Sequence, residues 1–333
     1  MVRTIPSYSI ARVLAASVVM AAVISGAALA EDAGRPYPDH AVRLVVPTAP
    51  AGAIDGVARA VGAKLAERWG QPVVIDNKPG ANMVIGTDLA AKSPPDGYTL
   101  LVAHDGAMAM NVATTPGLPY DPLRDFEPIT LISSLPLVLM ANASVPAESA
   151  GELLDLARRN PGTLNHASGG PASQMAFALF KHMAKIDVVD VVYKGGALAV
   201  TSVMAGETQL CLADIASANA GLQSDKVRVL AVTSASRLAR LPDVPTVTER
   251  AIPGYESVVW IGMFAPAGTP KPILTKIEAD ARAALTLPDL RGRLETLQMD
   301  VAALPAPEFR IRLAADIRKW SELVRDTGLR LAP

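Results

Sequence analysis

The sequence predicts an α/β protein that is built from two α/β units. Short apolar runs alternate with segments of helical period, which is typical of βαβ units and a parallel sheet. A strand, a loop rich in Gly and Pro, and a helix follow one another at residues 44–69, and the same arrangement returns at residues 164–183. The chain has 333 residues, half of them hydrophobic, which is enough for two domains of ordinary size.

The opening segment of the first unit points to a binding function. Residues 44–46 read as a buried strand, the Pro and Gly residues of 47–52 force an irregular turn, and from Ile54 the apolar residues share one helical face. Backbone N–H groups at the start of a helix lack intrahelical partners and attract anions. We therefore expect this loop to hold the carboxylate of a small organic acid.

The remaining segments alternate in the same way. Further strands are predicted at residues 73–76, 98–103, 164–168, 188–193, 208–214, 227–233 and 258–264, and an apolar segment at 129–140 leads out of the first unit. Further helices are predicted at residues 85–92, 149–159, 173–183, 197–205, 270–287 and 307–327. Ser149 followed by Glu152 predicts a capping box at the second of these helices. We expect lobe I at residues 31–138 plus 256–333 and lobe II at 139–255, joined by two crossovers.

The N-terminus has the pattern of a secretory signal peptide. Arg3 and Arg12 are the only charges before residue 31, and an uncharged stretch rich in Ala and Val follows them. It ends in Ala-Leu-Ala at residues 28–30, which predicts cleavage near Ala30 and export to the periplasm. The alternative is a membrane anchor, which the small residues before the acidic pair at 31–32 disfavour. Cys211 is the single cysteine, lies in an apolar run, and predicts a buried thiol and no internal disulfide.

Composition and motifs favour a binding protein over an enzyme or a nucleic-acid partner. The formal net charge is −1 and no basic run is present, so we expect no nucleic acid. None of the four histidines has metal-ligand spacing, and no nucleophile elbow, P-loop or dinucleotide fingerprint is present, so we expect no metal, cofactor or catalytic group. His104 with Asp105 could form an acid–base pair, a ligand contact or a satisfied polar pair, and the last is favoured. Asp55 could grip a cationic ligand group or cap its helix, and capping is favoured.

A series of short motifs runs along nearly the whole chain after the signal peptide. The motifs are Arg43-Leu44-Val45-Val46-Pro47, Pro50-x-Gly52-x-x-Asp55-x-x-Ala58-Arg59, Asn77-Lys78-Pro79-Gly80-Ala81, Asp96-Gly97-Tyr98-Thr99-Leu100-Leu101, Pro119-Tyr120-Asp121-Pro122, Tyr193-Lys194-Gly195-Gly196, Leu230-Ala231-Val232-Thr233, Leu241-Pro242-Asp243-Val244-Pro245-Thr246 and Phe264-Ala265-Pro266-Ala267-Gly268-Thr269-Pro270. In this order and spacing the chain resembles the Bug family, the TctC-type periplasmic solute-binding proteins of tripartite tricarboxylate transporters.

The resemblance implies a two-lobed Venus-flytrap fold of the type II periplasmic binding class. It implies a small carboxylate ligand (a dicarboxylate, tricarboxylate, aromatic acid or amino acid) that loops of both lobes hold without catalysis or a cofactor. It also implies delivery of this ligand to the membrane permease subunits of the transporter, and we expect a monomer. Two alternatives stay open: a ligand-binding partner of a membrane sensor, and an exported α/β hydrolase or transferase that uses His104, Asp105 or Ser168.

The expected ligand contacts lie on loops at the ends of predicted strands. In the first lobe they are Thr48, Ala49, Ala51, Gly52, Ala53, Ile54, Asp55, His104, Asp105 and Gly106. In the second lobe they are Ser168, Gly169, Gly170 and Ser173, with Lys194 and Asp214 nearby. Thr48 stands where the family usually has an aromatic residue, Ala51 where it has the first of two glycines, and His104 where a small hydroxyl residue is common. These departures leave the identity of the ligand open.

Overall fold

The computed structural model describes residues 37–331, and the predicted signal peptide lies outside these residues. The strands are β1 (Val42–Val46), β2 (Val73–Asn77), β3 (Thr99–His104), β4 (Phe126–Asn142), β5 (Asn165–Ser168), β6 (Val189–Val192), β7 (Leu210–Asp214), β8 (Val227–Val232), β9 (Val258–Pro266) and β10 (Asp300–Pro305). The helices are α1 (Ala53–Trp69), α2 (Val84–Ala91), α3 (Asn111–Thr114), α4 (Ala150–Arg159), α5 (Pro171–Ala184), α6 (Gly196–Ala205), α7 (Ile215–Leu222), α8 (Val247–Arg250), α9 (Lys271–Ala284), α10 (Pro288–Thr296) and α11 (Ala306–Thr327). A π-helical turn at Gly106–Met110 precedes α3.

The strands form two sheets that share β4. The neighbours run β2-β1-β3-β9-β4-β7-β5-β6, and β8 and β10 also pair with β4. In the first sheet β1 is parallel to β2 and β3, and in the second β5 is parallel to β6 and β7. Strand β4 is 17 residues long, and its first part pairs with β9 while Leu137–Ala141 pairs with β7. Each sheet with its helices forms one lobe.

The first lobe is built around the predicted strand, loop and helix at its start. Strand β1 is buried on both faces, as the central strand of a parallel sheet requires, and this explains its continuous apolar run. Val57, Val61 and Leu65 of α1 are fully buried in the same apolar cluster as Leu44 of β1. The helix ends at Gly70, whose φ of 65° is the left-handed conformation that glycine adopts at helix C-termini.

The second lobe packs around another apolar cluster, which contains two phenylalanines and which Trp320 of α11 joins. Phe177 and Phe180 of α5 are buried, and the ring of Phe177 stacks on the imidazole of His166 with centroids 3.6 Å apart. Helix α4 begins as predicted, with the Ser149 hydroxyl accepting a hydrogen bond from the Glu152 N–H. The other half of the predicted capping box is wrong, because the Glu152 carboxylate accepts from the N–H of Glu148 instead of Ser149.

The predicted order of strands and helices is confirmed, with some boundaries moved and some elements missed. Helix α5 begins at Pro171 in the predicted loop, and α3, α7, α8, α10 and β10 were not predicted. Cys211 is buried as expected, and burial raises the pKa of its thiol to about 12. Between residues 37 and 331, no helix combines the length and the apolar composition that a bilayer crossing requires.

Candidate functional site

The N-terminus of α1 is fixed by a buried carboxylate that leaves the first N–H groups free. Gly52 precedes the helix and offers no side chain as a cap. Asp55 is 2% exposed, and its Oδ2 accepts from the Ala51 N–H at 2.9 Å and from Arg59 Nε at 2.8 Å. Its Oδ1 accepts from the amide of Asn77 at 2.9 Å. The prediction that Asp55 caps α1 is wrong, because Asp55 lies in the first turn and its Oδ2 accepts from Ala51, which precedes the helix. Its predicted contact with the ligand stays a prediction, and both of its oxygens already have protein partners.

The charge of Asp55 is stabilised by these partners. The Arg59 guanidinium, followed by the Ala51 N–H and the Asn77 amide, lowers the pKa of the Asp55 carboxyl from 3.8 to about 2, against the opposing effect of burial. The Asp55 carboxylate is therefore ionised in the folded protein near neutral pH. The carboxylate holds Ala51 of the loop against the first turn of α1, and Asp55 does not line the cavity beside this turn.

A cavity of about 250 Å³ opens at this helix start. It is lined by Thr48, Gly52, Ala53, Ile54, His104, Ser133, Ser134, Leu135, Val259, Ile261 and Met299. The N–H groups of Ala53 and Ile54 have no hydrogen-bond partner within residues 37–331, and the Thr48 hydroxyl is buried there without one. The part of the chain that the structure describes places no Lys or Arg in this lining, so backbone N–H groups, hydroxyls and His104 supply its polarity.

His104 is held in one tautomer by the residue two positions later. The N–H of Gly106 donates to Nδ1 of His104 at 2.7 Å, so this nitrogen carries no proton and Nε2 does. The imidazole side chain is 24% exposed and lines both this cavity and the next one along the cleft. His104 therefore offers one N–H donor that is available to a ligand.

A second cavity of about 250 Å³ adjoins the first and shares His104 and Val259 with it. Its other lining residues are Asn82, Met83, Asp105, Gly106, Met110, Asn111, Pro171, Ala172 and Leu331. Neighbours on an extended segment point apart, which would direct only one of His104 and Asp105 towards the cleft. Asp105 instead has helical φ and ψ of −53° and −31° at the start of the π-helical turn, and both residues line the cavity.

In the second lobe, the loops that follow three parallel strands lie together. A Cβ on Gly169 would be 2.5 Å from the Cα of Gly196, and a Cβ on Gly196 would be 2.4 Å from the hydroxyl of Ser217. Helices α5 and α6 follow Gly170 and Gly195 and have no side-chain cap. The third helix, α7, is capped by Asp214, whose carboxylate accepts from the N–H and hydroxyl of Ser217.

Several predicted ligand contacts of the second lobe either hydrogen-bond within the protein or lie outside both cavities. The hydroxyl of Ser173 is buried and donates to the carbonyl of Leu212 at 2.6 Å, Asp214 is a helix cap, and Lys194 is exposed. None of these three lines either cavity, and neither do the loop residues 168–170. Pro171 and Ala172, in the first turn of α5, are the residues through which the second lobe reaches the second cavity.

Ser168 belongs to a buried polar group that has the composition of a catalytic triad without its geometry. His166 Nε2 accepts from the Leu212 N–H at 2.9 Å, and its Nδ1 contacts Asp190 Oδ1 at 2.8 Å. The Ser168 hydroxyl donates to the same Asp190 oxygen at 2.5 Å and is completely buried. Burial lowers the pKa of His166 and keeps it neutral, and no base is free to accept a proton from Ser168. This group stabilises the core of the second lobe.

Some residues that line the cleft were not predicted. Ser133 and Ser134 lie in β4, and their position as a polar pair inside the apolar segment 129–140 is a signal that could have indicated a cleft. Asn82 and Asn111 hydrogen-bond to each other across the second cavity at 2.9 Å, which no sequence spacing indicates. Within the described part of the chain, no three His, Cys, Asp or Glu side chains lie together as a metal site requires.

Comparison with known families places the chain beside transport receptors. The family profile described as tripartite tricarboxylate transporter family receptor, TctC, matches residues 57–329. A Pseudomonas sp. (strain P51) protein, UPF0065 protein in the tcbD-tcbE intergenic region, is 36% identical over 292 residues, which is 86% of each chain.

Solved structures show the same fold at similar coverage. A TctC solute binding protein from Polaromonas has a TM-score of 0.80 at 25% identity, over 87% of this chain and all of that one. The R. palustris protein Rpa4515 with adipate has a TM-score of 0.70 at 31% identity, over 90% of this chain and all of that one. The periplasmic binding protein BugD has a TM-score of 0.67 at 31% identity, over 88% and 99%.

Proposed function

The chain belongs to the family of tripartite tricarboxylate transporter receptors, and we propose that it captures a small organic carboxylate between its lobes and delivers it to the transporter's permease subunits. Its fold is the two-lobed fold of periplasmic binding proteins. One similar protein is solved with adipate, a dicarboxylate, which supports this class of ligand for the present chain. The predicted signal peptide would place the mature protein in the periplasm.

The observation that carries the proposal is the free start of α1 at the wall of a cavity. The N–H groups of Ala53 and Ile54 and the hydroxyl of Thr48 have no hydrogen-bond partner among residues 37–331. A carboxylate is complementary to this arrangement, because it accepts hydrogen bonds and is attracted by the positive end of the helix dipole. Because the described lining holds no Lys or Arg, the partial charges of backbone N–H groups and hydroxyls would stabilise the negative charge of the carboxylate.

One helix start is too weak to hold a ligand, so the second lobe must contribute. A hydrogen bond to a charged group contributes about 1.5–3 kcal/mol, and two of them supply less than the roughly 8 kcal/mol of micromolar affinity. The uncapped starts of α5 and α6 offer a second set of N–H groups. We propose that closure of lobe II (139–255) onto lobe I (31–138 plus 256–333) brings residues 168–173 and Lys194 against the ligand.

The proposed role is binding without turnover. The hydroxyl of Ser168 is buried and donates to Asp190, and the Nδ1 atom of His104 is occupied by the Gly106 N–H. These contacts leave the nucleophile of a hydrolase without a base. The proposal includes no catalytic residue, no cofactor, no nucleic-acid partner and a monomeric state.

The test is binding of organic acids to the mature chain, with one backbone donor removed. Thermal-shift and calorimetric titration should show stabilisation by at least one mono-, di- or tricarboxylate or amino acid, because a ligand that binds only the native state raises its stability. Ala53→Pro removes an N–H at the first helical position, where Pro is well tolerated, and should weaken binding about 10- to 100-fold. Ala53→Gly keeps the N–H and should bind nearly as the wild type does.

The proposal fails if no acid in the panel stabilises the wild-type protein, or if Ala53→Pro and Ala53→Gly bind equally well. Release of a chemically altered ligand on prolonged incubation would contradict the non-catalytic role. If a pull-down from membranes recovers a sensor and no permease subunits, the protein delivers its ligand to a sensor, and the transport part of the proposal is wrong.

A further inference from the structure

We propose that the ligand of this cleft carries, besides its carboxylate, a positively charged nitrogen with N–H groups, and that Asp105 binds this nitrogen. This inference rests on the proposed carboxylate-binding function and names the class of acid involved. It predicts a zwitterion: the carboxylate lies at the start of α1, and the cationic nitrogen lies in the adjoining cavity.

Asp105 is a buried aspartate whose Oδ1 accepts no hydrogen bond from residues 37–331. The residue is 2% exposed and lines the second cavity. Its Oδ1 is inaccessible to solvent and has no hydrogen-bond partner within residues 37–331. Buried aspartates are almost always paired with a donor or a cation, because an isolated charge loses its hydration on burial. The missing partner is therefore expected to come from outside the chain.

The polar side chains that line this cavity with Asp105 do not donate to its Oδ1. Nδ1 of His104 lies 3.4 Å from Oδ1, but this nitrogen accepts from the Gly106 N–H and has no proton to donate. The amide of Asn82 donates to Asn111, whose own amide donates to the carbonyl of Asn82. The two amides are thus oriented towards each other's residue, and neither donates to Asp105.

The charge of the cleft points to the same ligand. Among residues 37–331, no Lys or Arg lines either cavity, and Asp105 is the one acidic residue that does. An acid that carries only negative charges would add like charge beside an unpaired carboxylate, which is unfavourable at low local dielectric. A cationic nitrogen neutralises Asp105, and its N–H groups supply the missing donors. A quaternary ammonium group would satisfy the charge but not the acceptor.

The arrangement of the two cavities fits a zwitterion of this kind. They share His104 and Val259, so one small molecule can extend from the N–H groups of Ala53 and Ile54 into the space beside Asp105. Because His104 lines both cavities, its Nε2–H would lie between the carboxylate and the nitrogen of the ligand. This side chain can donate to the ligand carboxylate while the amine lies beyond it.

The test compares acids that differ by one amine. Straight-chain monocarboxylates of two to six carbons are titrated against the mature chain beside their ω-amino counterparts, and glutarate beside glutamate. At least one amino acid should bind ten-fold or more tightly than its matched acid. Asp105→Asn should weaken binding of that amino acid at least ten-fold and leave or improve binding of the matched acid. Asp88→Asn, which removes a carboxylate paired with Lys92 outside both cavities, should change neither.

Each outcome decides between the two levels of the proposal. If plain acids bind the wild-type protein as tightly as every amino counterpart, this inference is overturned and the carboxylate-binding function stands. If Asp105→Asn keeps the preference for the amine, Asp105 does not bind the nitrogen. If no acid of either series binds, this inference is overturned, and the wider panel of organic acids decides the carboxylate-binding function. Should Asp105→Asn not fold, the preference of the wild-type protein within the matched pairs still decides the class of ligand.

Discussion

The N–H of Gly106 donates a 2.7 Å hydrogen bond to Nδ1 of His104, and the two residues are packed so closely that only glycine fits. A Cβ at position 106 would lie 2.2 Å from Cε1 and 2.7 Å from Nδ1 of the imidazole. The same bond that selects the tautomer of His104 therefore also fixes where its ring lies. Gly106 positions the His104 donor although it need not touch the ligand through a side chain.

Replacement of Gly106 by Ala should displace the His104 ring from the cleft. We expect Gly106→Ala to weaken ligand binding about as much as His104→Ala, on the order of ten-fold, because one donor to a charged group is lost in both. Calorimetric titration of the two single variants and of the double variant measures this. The losses should not add, because both substitutions remove the same contact.

A matched glycine serves as the control for this substitution. Gly292 lies inside α10 on the surface, and a Cβ there would meet no atom within 4 Å. Gly292→Ala should keep full binding and stabilise the protein by about 0.5–1 kcal/mol, because glycine is unfavourable inside a helix. Full binding by Gly106→Ala would show that the imidazole can move without consequence.

The ionised carboxylate of Asp55 should make stability fall in acid. Its pKa is lowered to about 2 in the folded protein from 3.8, so the unfolded chain takes up a proton first as the pH falls. The stabilisation is complete above about pH 4 and is lost between pH 4 and pH 2. We expect about 1–2 kcal/mol, since Arg59 is half exposed and its interaction is screened by solvent.

Urea unfolding at pH 5 and pH 3 can separate this effect from general acid denaturation. Asp55→Asn should lose less stability between these two pH values than the wild type does, by about 1 kcal/mol. Asp289→Asn is a suitable comparison, because Asp289 is an exposed aspartate that is paired with a basic residue, Lys64, as the buried Asp55 is paired with Arg59. An equal loss in wild type and Asp55→Asn would mean that Asp55 does not carry the acid sensitivity.

The loop that Asp55 holds contains a strained alanine. Ala51 has a φ of 67°, which is unfavourable for any residue with a Cβ, and it is exposed. Ala51→Gly should therefore raise the free energy of unfolding by about 0.5–1 kcal/mol, measured by urea denaturation. Ala49→Gly, at a neighbouring exposed position without positive φ, should be neutral or destabilising. Equal effects at both positions would argue against strain at Ala51.

The buried imidazole of His166 predicts a second loss of stability nearer to neutral pH. Because burial lowers its pKa, the folded protein keeps His166 neutral while the unfolded chain binds a proton near pH 6.5. The contribution is fully present above pH 6.5 and should fall by about 1 kcal/mol per pH unit below it. Comparison of urea midpoints at pH 7.5 and 5.5 should show a smaller change in His166→Gln than in the wild type. The same change in both would exclude His166 as the cause.

Local patterns predicted the units of this fold but not the long-range pairing within them. The segment from β1 through α1 was predictable because Pro47, Pro50 and Gly52 separate a buried strand from a helix with a clear apolar face. Strand β10 was missed because it forms by pairing Asp300 with Ser134, far away in the sequence. Helix α7 was missed because its residues are mostly small and show no apolar period.

The site was predictable where a loop follows a strand and less so where side chains meet. Thr48 and residues 52–54 line the first cavity as expected, because the strand and helix that flank them fix their position. The common orientation of His104 and Asp105 was not predictable, since it depends on a helical turn that starts directly after the strand. The engagement of Ser173 with Leu212 also depends on a contact between distant segments.

The continuous strand β4 has a mechanical consequence. It pairs with β9 over Phe126–Pro136 and with β7 and β8 over the residues that follow, with register shifts at Pro128, Leu131 and Leu139. Rotation of either end of this ribbon would twist a ladder of hydrogen bonds. The proposed closure of the lobes would then work against an elastic torque. The stiffness of this ribbon would help to set how long a captured molecule stays inside.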